Sequence, residues 1–280
     1  MIMNDWHCDL IEFDKEIAPL LQSIFRSTGI DYRNYSKNFL TRRILAFARK
    51  QNCATIEEVG GRVLNDEAAL RDFANTLSLP TTRMFRDAGV FQQLRNRVIP
   101  FLEETQLAKV WSAGCSTGEE AYSLAIVFKE ERPPGKTLIF ATDCNEKALI
   151  AAKKGIFPLR HMRAHTFNYL ASGGKGDFSN YYSADHENAM MNEELKHNIV
   201  FAQHNLASDY TFNEFDLILC RNVLIYFNGQ LQQQVLDLLY KSLRPGGILI
   251  LGDKESLRSV MPTNSFVDMD RALRIFKKIQ

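Results

Sequence analysis

The turn Gly114-Cys115-Ser116-Thr117-Gly118-Glu119-Glu120 separates a β-rich run (Lys109-Val110-Trp111-Ser112-Ala113) from one with helical apolar content (Tyr122, Leu124, Ala125, Ile126, Phe128). Strand, glycine-pinched turn and helix in this order bring unpaired backbone N–H groups and a closely approaching main chain to one end of a sheet. A doubly wound α/β sheet holds nucleotide-like cofactors there, beyond its strand ends. The spacing narrows the choice. Gly-x-x-x-Gly is not the Gly-x-Gly-x-x-Gly dinucleotide fingerprint, and no Gly-Lys-Ser/Thr follows to cradle a triphosphate. A helix that opens with Glu119-Glu120 repels phosphate and suits a cationic or amine-bearing ligand. S-adenosylmethionine meets these conditions, with S-adenosylhomocysteine as its product.

The next apolar run, Thr137-Leu138-Ile139-Phe140-Ala141-Thr142, ends on Asp143. An acid at the end of the second strand can accept both ribose hydroxyls. The other reading is that Asp143 caps the helix expected from Glu146 to Lys154. Farther along, Phe215-Asp216-Leu217-Ile218-Leu219-Cys220 runs into Arg221-Asn222-Val223-Leu224-Ile225-Tyr226-Phe227. A helix with Leu231, Val235, Leu236, Leu238 and Leu239 follows, then Arg244-Pro245-Gly246-Gly247 and a strand from Ile248 to Gly252. Repetition of this unit predicts a doubly wound, mostly parallel sheet with helices on both faces. The closing Arg274-Ile275-Phe276-Lys277-Lys278-Ile279 suits an edge strand.

The elements around this sheet are of other kinds. Residues 1–79 read as a helical domain, with apolar stripes at Leu10, Phe13, Ile17, Leu20, Leu21, Ile24 and Phe25, and again at Ile56, Val59, Val63, Leu64, Leu70, Phe73, Ala74 and Leu77. Pro80 breaks the pattern, residues 80–90 form a linker, and a connecting helix covers Val90 to Leu102. The α/β domain occupies 91–280. Within it, Gly173-Gly174-Lys175-Gly176 interrupts the rhythm, and Tyr181-Tyr182, Ala189-Met190-Met191 and Ile199-Val200-Phe201 read as short strands of an inserted antiparallel β-subdomain at about 173–201.

Bulk composition sets the outer limits. The chain has 280 residues, of which 45% are hydrophobic and 24% charged, the profile of a globular protein. No apolar run reaches the roughly 20 residues that span a bilayer, and no secretory pattern opens the chain, so a cytoplasmic protein without membrane insertion is expected. Cys8, Cys53, Cys115, Cys144 and Cys220 are scattered without a Cys-x-x-Cys and read as reduced thiols. No metal site is expected: His161 and His165 lie one helical turn apart with no third ligand, as a surface pair. The net charge of +1 argues against a nucleic-acid binder. Local charge is uneven, however. Arg26, Arg33, Lys37, Arg42, Arg43, Arg49 and Lys50 meet a single acid, Asp31. Arg42 with Arg49, and Arg43 with Lys50, recur seven residues apart opposite the apolar face of Leu40, Ile44, Phe47 and Ala48. That face is either a docking surface for an acidic partner or simply solvated.

Taken together, Thr82-Arg83-Met84-Phe85-Arg86-Asp87, Gly114 to Glu120, Ala141-Thr142-Asp143, Cys220 to Phe227 and Pro245-Gly246-Gly247 resemble the chemotaxis receptor glutamate methyltransferase family (CheR). The resemblance covers nearly the whole chain in order. It implies a Rossmann-like class I S-adenosylmethionine methyltransferase with an N-terminal helical domain and an inserted β-subdomain. The implied activity is methyl transfer from S-adenosylmethionine to glutamate side chains on the cytoplasmic signalling helices of a chemoreceptor-like protein, by a bacterial enzyme expected to be monomeric. A cofactor-binding regulator or scaffold of a chemosensory-like pathway, with weak or no turnover, is the alternative. By position, cofactor contacts fall on Thr82 and Arg86 in the linker, Gly114 and Glu119 at the turn, Asp143 at the ribose, Asn205 and Leu206 near the adenine, and Asn222 and Val223. Arg86 is implied to hold the cofactor carboxylate and Tyr226 to lie near the transferring methyl, the two making up the catalytic set. Arg42, Arg43, Arg49 and Lys50 would dock the substrate. Three departures stand out: Pro80 where the family usually has Asn, Gly252-Asp253-Lys254-Glu255 where it often has Gly-His-Ser-Glu, and no glycine between Tyr182 and Met190, where members that dock on a receptor tether carry one. These fit a paralogue serving a receptor or kinase outside motility.

Overall fold

In a computed structural model that describes residues 13–77, 82–133, 135–257 and 265–279, the N-terminal apolar stripes become four helices. They are α1 (Ala18–Thr28), α2 (Lys37–Gln51), α3 (Ile56–Asn65) and α4 (Glu67–Leu77). Ile17, Leu21, Ile24, Leu40, Ile44, Phe47, Val59 and Phe73 meet in one buried core. Thr55 caps α3 by accepting from the Glu58 N–H at 3.1 Å, the local contact that starts a helix after a turn. The compact unit built from these helices takes in Met1–Leu79 and, from much later in the chain, Ile225–Gln234. That later segment is held by the Ser36 N–H donating to the Tyr226 carbonyl at 2.8 Å and the Asn228 N–H donating to the Asn34 carbonyl at 2.9 Å.

The second unit comprises Pro80–Leu224 and Val235–Gln280. A short helix α5 (Ala88–Gln93) leads into β1 (Ala108–Ala113), α6 (Glu119–Glu131), β2 (Thr137–Asp143) and α7 (Glu146–Lys154). After these come β3 (Ile156–Pro158), α8 (Leu159–Ala171), β4 (Tyr182–Ala184), β5 (Asn188–Met191), α9 (Glu193–Lys196) and β6 (Ile199–Gln203). The chain ends with β7 (Phe215–Cys220), α10 (Gly229–Ser242), β8 (Leu243–Leu251), β9 (Phe266–Asp270) and β10 (Ile275–Lys278). Seven strands form one sheet in the order β6-β2-β1-β7-β8-β10-β9. The five from β6 to β8 are parallel, and β10 and β9 are antiparallel additions. This is the doubly wound, mostly parallel sheet that the strand–turn–helix pattern predicts. From β1 the chain steps outward through β2 to β6, then returns to β7 on the other side of β1. The reversal opens a crevice beyond the carboxyl ends of β1 and β7.

Three expectations change. Ile199-Val200-Phe201 is not part of the small sheet: Phe140 pairs with Val200 and Ala141 with Phe201 in parallel register, so this segment is the outer strand of the main sheet. The small antiparallel sheet has the order β3-β5-β4 instead. Its third strand, Ile156–Pro158, is too short for periodicity to show, and its proline is tolerable because β3 lies at the sheet edge. The closing strand β10 is also not an edge, because Phe266–Asp270 pairs outside it. Finally, His165 is no surface residue. It is 2% exposed, on the inward side of α8, and burial, more than the nearby His161 and Arg83, pushes its pKa down to about 4. His161 is exposed as expected.

The residues around Gly174 explain the glycine-rich stretch. A Cβ on Gly174 would lie 2.2 Å from the Tyr169 ring. That ring packs against Phe85 and Phe178, each at 5.3 Å between centroids. The Tyr169 and Tyr181 hydroxyls both donate to Glu130 Oε1, at 2.5 and 2.6 Å. Glu130 Oε2 meets Arg95 at 2.5 Å, with both side chains almost fully buried. One carboxylate therefore ties α6, α8, the connecting helix and the start of the β-subdomain together. Glu130→Ala removes the acceptor of both hydroxyls and one of the two carboxylates that pair buried Arg95, the other being Glu131 at 2.7 Å, and is expected to cost about 2–4 kcal/mol. Lys175→Ala, which removes an exposed partner of Glu131, should change stability by at most about 1 kcal/mol. Urea denaturation of the two variants measures both.

Candidate functional site

The crevice is shaped first by backbone needs at the strand ends. After β1 the chain turns sharply, and the Gly114 and Cys115 N–H groups both donate to the Thr142 carbonyl, at 2.8 and 2.9 Å. Gly114 has φ +80, and a Cβ there would lie 2.5 Å from Val223 Cγ2. Only glycine lets the turn after β1 approach the turn after β7 so closely. Gly114 and Val223, predicted from separate motifs, are thus in contact.

Asp143, at the end of β2, bridges two turns. Its Oδ2 accepts from the Ser116 N–H at 2.8 Å and its Oδ1 from the Asn145 N–H at 2.9 Å. The helix cap is Asn145, whose side chain accepts from the Ala148 N–H at 3.2 Å, so the capping alternative for Asp143 falls away. Burial raises the Asp143 pKa, against the lowering effect of those N–H donors. Each oxygen keeps a further lone pair, which a vicinal diol can satisfy. The Asp143 carbonyl accepts from the His204 N–H at 3.2 Å, which brings Asn205 and buried Leu206 to the same end of the sheet.

The two glutamates that open α6 separate in role. Glu120 accepts from Ser112 Oγ at 2.8 Å and pairs with Arg221 Nη1 at 3.0 Å. Glu119 is 8% exposed, and its carboxylate accepts from the Thr117 hydroxyl at 2.6 Å. With burial raising its pKa and no ion-pair partner among the described residues, Glu119 alone remains to meet a polar or cationic ligand group.

Arg86 stands between two non-glycine residues with left-handed backbones, Phe85 (φ 52) and Asp87 (φ 59). Each such residue costs about 1–3 kcal/mol and persists only where its surroundings enforce it. Here the Phe85 N–H donates to Ser123 Oγ at 2.9 Å. Buried Arg221 Nη2 donates to the Arg86 carbonyl at 2.9 Å and pairs with Asp87 at 2.5 Å. The Arg86 backbone is thus fixed on both sides, while its own half-buried guanidinium has no partner among the described residues. Among the described residues, no salt bridge holds Arg86. Thr82 is half-buried at the start of the described linker. Pro80 lies outside the described residues.

Glu255 was not singled out by the sequence. It is 3% exposed, and its Oε1 accepts from the Val223 and Leu224 N–H groups at 2.8 Å each. Its Oε2 accepts from the Gly252 N–H at 2.6 Å and the Asn222 N–H at 3.1 Å. This one carboxylate holds the turn that carries Asn222 (φ 60) and Val223. Its signal in the sequence is the fourth position of the segment Gly252-Asp253-Lys254-Glu255.

The remaining predicted residues lie in the helical unit. The Tyr226 ring packs on Phe39 at 4.8 Å between centroids. On α2, Arg43 Nε donates to the Thr76 carbonyl at 2.7 Å and Lys50 pairs with Asp72 at 2.5 Å, so both are engaged with α4. Arg42 and Arg49 are exposed, and Arg42 has no partner among the described residues.

Comparison with known proteins agrees with this geometry. Residues 80–273 match the CheR methyltransferase, SAM binding domain, and residues 15–78 the CheR methyltransferase, all-alpha domain. A putative methyltransferase Cher3 of Pseudomonas putida is 43% identical over 265 residues, covering 95% of this chain and 97% of that protein. Chemotaxis protein methyltransferases of Listeria monocytogenes and Listeria innocua are 31% and 32% identical over 250 residues, each covering 88% of this chain and 92% of the relative.

Glu255 generates a pH prediction. Burial raises its pKa despite four N–H donors, so the folded state holds its proton to higher pH than the unfolded chain does. Below the unfolded value of about 4.3 both states are protonated and there is no penalty. As pH rises past it, the unfolded state ionises first, and the wild type loses stability relative to Glu255→Gln until the raised folded value is passed. Urea denaturation of both proteins between about pH 4 and pH 8 should show this difference falling, then levelling.

Proposed function

As the chain belongs to the CheR methyltransferase family, we propose that it is a protein-glutamate O-methyltransferase acting on the signalling helices of a chemoreceptor-like protein. The observation that carries this reading is Arg86: a guanidinium without a partner among the described residues, on a backbone strained at both neighbours and braced by Arg221. Such bracing fits a group whose partner is a bound carboxylate. Support also comes from the names of relatives that cover most of this chain.

The residues fit S-adenosylmethionine by their own chemistry. Asp143 has lone pairs for the ribose hydroxyls, with Asn205 and Leu206 beside it for the base. Gly114 lets the turn after β1 meet the turn after β7, which carries Asn222 and Val223. Glu119 offers a carboxylate to the amine-bearing end, and Arg86, with Thr82, takes the carboxylate end. Tyr226 is assigned to the reacting methyl on the family resemblance alone. When bound, S-adenosylmethionine supplies an electrophilic methyl on a sulfonium.

Little else is required of the protein chemically. A substrate glutamate, with an ordinary pKa of about 4.3, arrives ionised, so no general base is needed. Glu120 is neutralised by Arg221. The work left to these residues is to orient the carboxylate for in-line attack and to strip water from it. On α2, Arg42 and Arg49 are the proposed docking cations, with Arg43 and Lys50 shaping the helix through their contacts to α4.

The test is calorimetric titration with S-adenosylhomocysteine. Wild type should bind, and Asp143→Ala should bind about tenfold to a hundredfold more weakly, the range for losing hydrogen bonds to a charged acceptor. Incubation with S-adenosylmethionine and a glutamate-bearing helical hairpin should then yield base-labile methyl ester, and its glutamine twin none. No binding by the wild type, or methylation of both hairpins alike, would overturn the reading.

A further inference from the structure

Helix α8 presents the wrong residues to solvent. Its inward positions, Met162, His165 and Tyr169, are buried. The opposite side, where a surface helix carries mixed charge, has Arg160, Arg163, Ala164, Phe167, Leu170 and Ala171, all exposed. Phe167 lies at the centre of this face at 73% exposure, with Leu170 one turn on at 59%. An exposed aromatic flanked by a second large apolar residue at i+3 marks a surface that is covered in use.

The charge here is also one-sided. From Lys147 to Gly176 the chain contains no Asp or Glu, although it carries Lys153, Lys154, Arg160, Arg163 and Lys175. Several cations elsewhere in this unit are matched: Lys129 with Glu194, Lys196 with Glu193, Arg244 with Asp216, Arg95 with Glu130. Arg160 and Arg163 have no hydrogen-bond or ion-pair partner among the described residues. The helix is also coupled to the cofactor side of its unit. Asn168 Nδ2 donates to the Met84 carbonyl at 3.0 Å, and Tyr169 packs on Phe85 at 5.3 Å. Both contacts are to the linker that carries Arg86, and exposed Arg83 on that linker extends the positive charge.

We propose that the outward face of α8 is a docking surface for an acidic amphipathic helix of the methyl-accepting protein, seated on Phe167 and Leu170 between Arg160 and Arg163. This rests on the methyl-transfer reading above. An acidic amphipathic helix supplies both complements at once, apolar residues at i, i+3 and i+4 for the centre and carboxylates for the flanks. A nucleic acid would use the arginines but leave the aliphatic Leu170 without a partner.

The experiment uses the full chain and a helical hairpin peptide with heptad leucines and surface glutamates, its binding read by fluorescence anisotropy. The Arg160→Glu/Arg163→Glu double variant should bind this peptide at least about tenfold more weakly, and Phe167→Ser about fivefold more weakly. Both should titrate S-adenosylhomocysteine as the wild type does. Wild-type binding should weaken with salt, and the glutamine twin should bind poorly. Unchanged peptide affinity in both variants overturns the proposal. So does tighter binding to single-stranded RNA or to phosphatidylserine vesicles than to the peptide, with the same dependence on Arg160 and Arg163. Failure of the wild type to bind S-adenosylhomocysteine would sink the methyl-transfer reading while the peptide result still judges α8. Normal methylation of the peptide with a KM indifferent to the α8 variants would sink only this proposal.

Discussion

Carboxylates that accept backbone N–H groups at the strand ends are the interaction on which the rest of this structure depends. Every parallel strand that ends in a tight turn leaves main-chain donors pointing into a crevice that must exclude water, and an unmet buried donor costs on the order of 1–3 kcal/mol. Asp143 takes two such donors, from the turns after β1 and β2. Glu255 takes four, from the turns after β7 and β8. Each bears a desolvation cost that raises its pKa, and each in return fixes loops that have no side-chain core of their own. The crevice is therefore preformed, with turns after β1 and β7 touching through Gly114 and Val223.

The linker obeys the same logic with the signs reversed. Arg221 is a buried cation whose partners are Glu120, Asp87 and the Arg86 carbonyl. Its position directly after β7 means that the strand end and the linker cannot shift independently. Phe85, held by Phe91, Tyr169 and Phe178, closes the other side. A left-handed phenylalanine and a left-handed aspartate on either side of Arg86 are costly and persist only because these contacts enforce them.

Much of this was legible in the residues. The glycine turn, the strand ending on Asp143 and the strand ending on Cys220 are local patterns, and each is present as the element its residues imply. What escaped was long-range or short. Periodicity marks Ile199-Val200-Phe201 as β without saying that its partner is β2, about 60 residues earlier in the chain. Ile156–Pro158 is three residues long and pairs with Asn188–Met191 only through tertiary contact. Phe266–Asp270 carries Val267 and Asp268 on a polar, alternating strand, so the sheet edge was assigned to its more apolar neighbour. Among site residues, the pairing of Arg43 and Lys50 with α4 depended on where α4 packs, which seven-residue spacing cannot reveal. The buried state of His165 followed from which side of α8 faces the core, and histidine spacing alone says nothing of that side.

The near-neutral net charge conceals a division of labour that bears on mechanism. Acids inside the cofactor unit are spent on backbone donors and buried cations, as Asp143, Glu255, Glu120 and Glu130 show. Among the described residues, Arg86, Arg160 and Arg163 have no partner, and Arg160 and Arg163 are exposed. A reaction that joins a carboxylate to a sulfonium has this same requirement: anions must be attracted and oriented, while free carboxylates near the acceptor would compete with it. A methyl transfer that needs no proton relay gains nothing from a catalytic base. It gains from rigid turns and from a surface that brings one class of anion to them, so the chemistry and the charge pattern constrain each other.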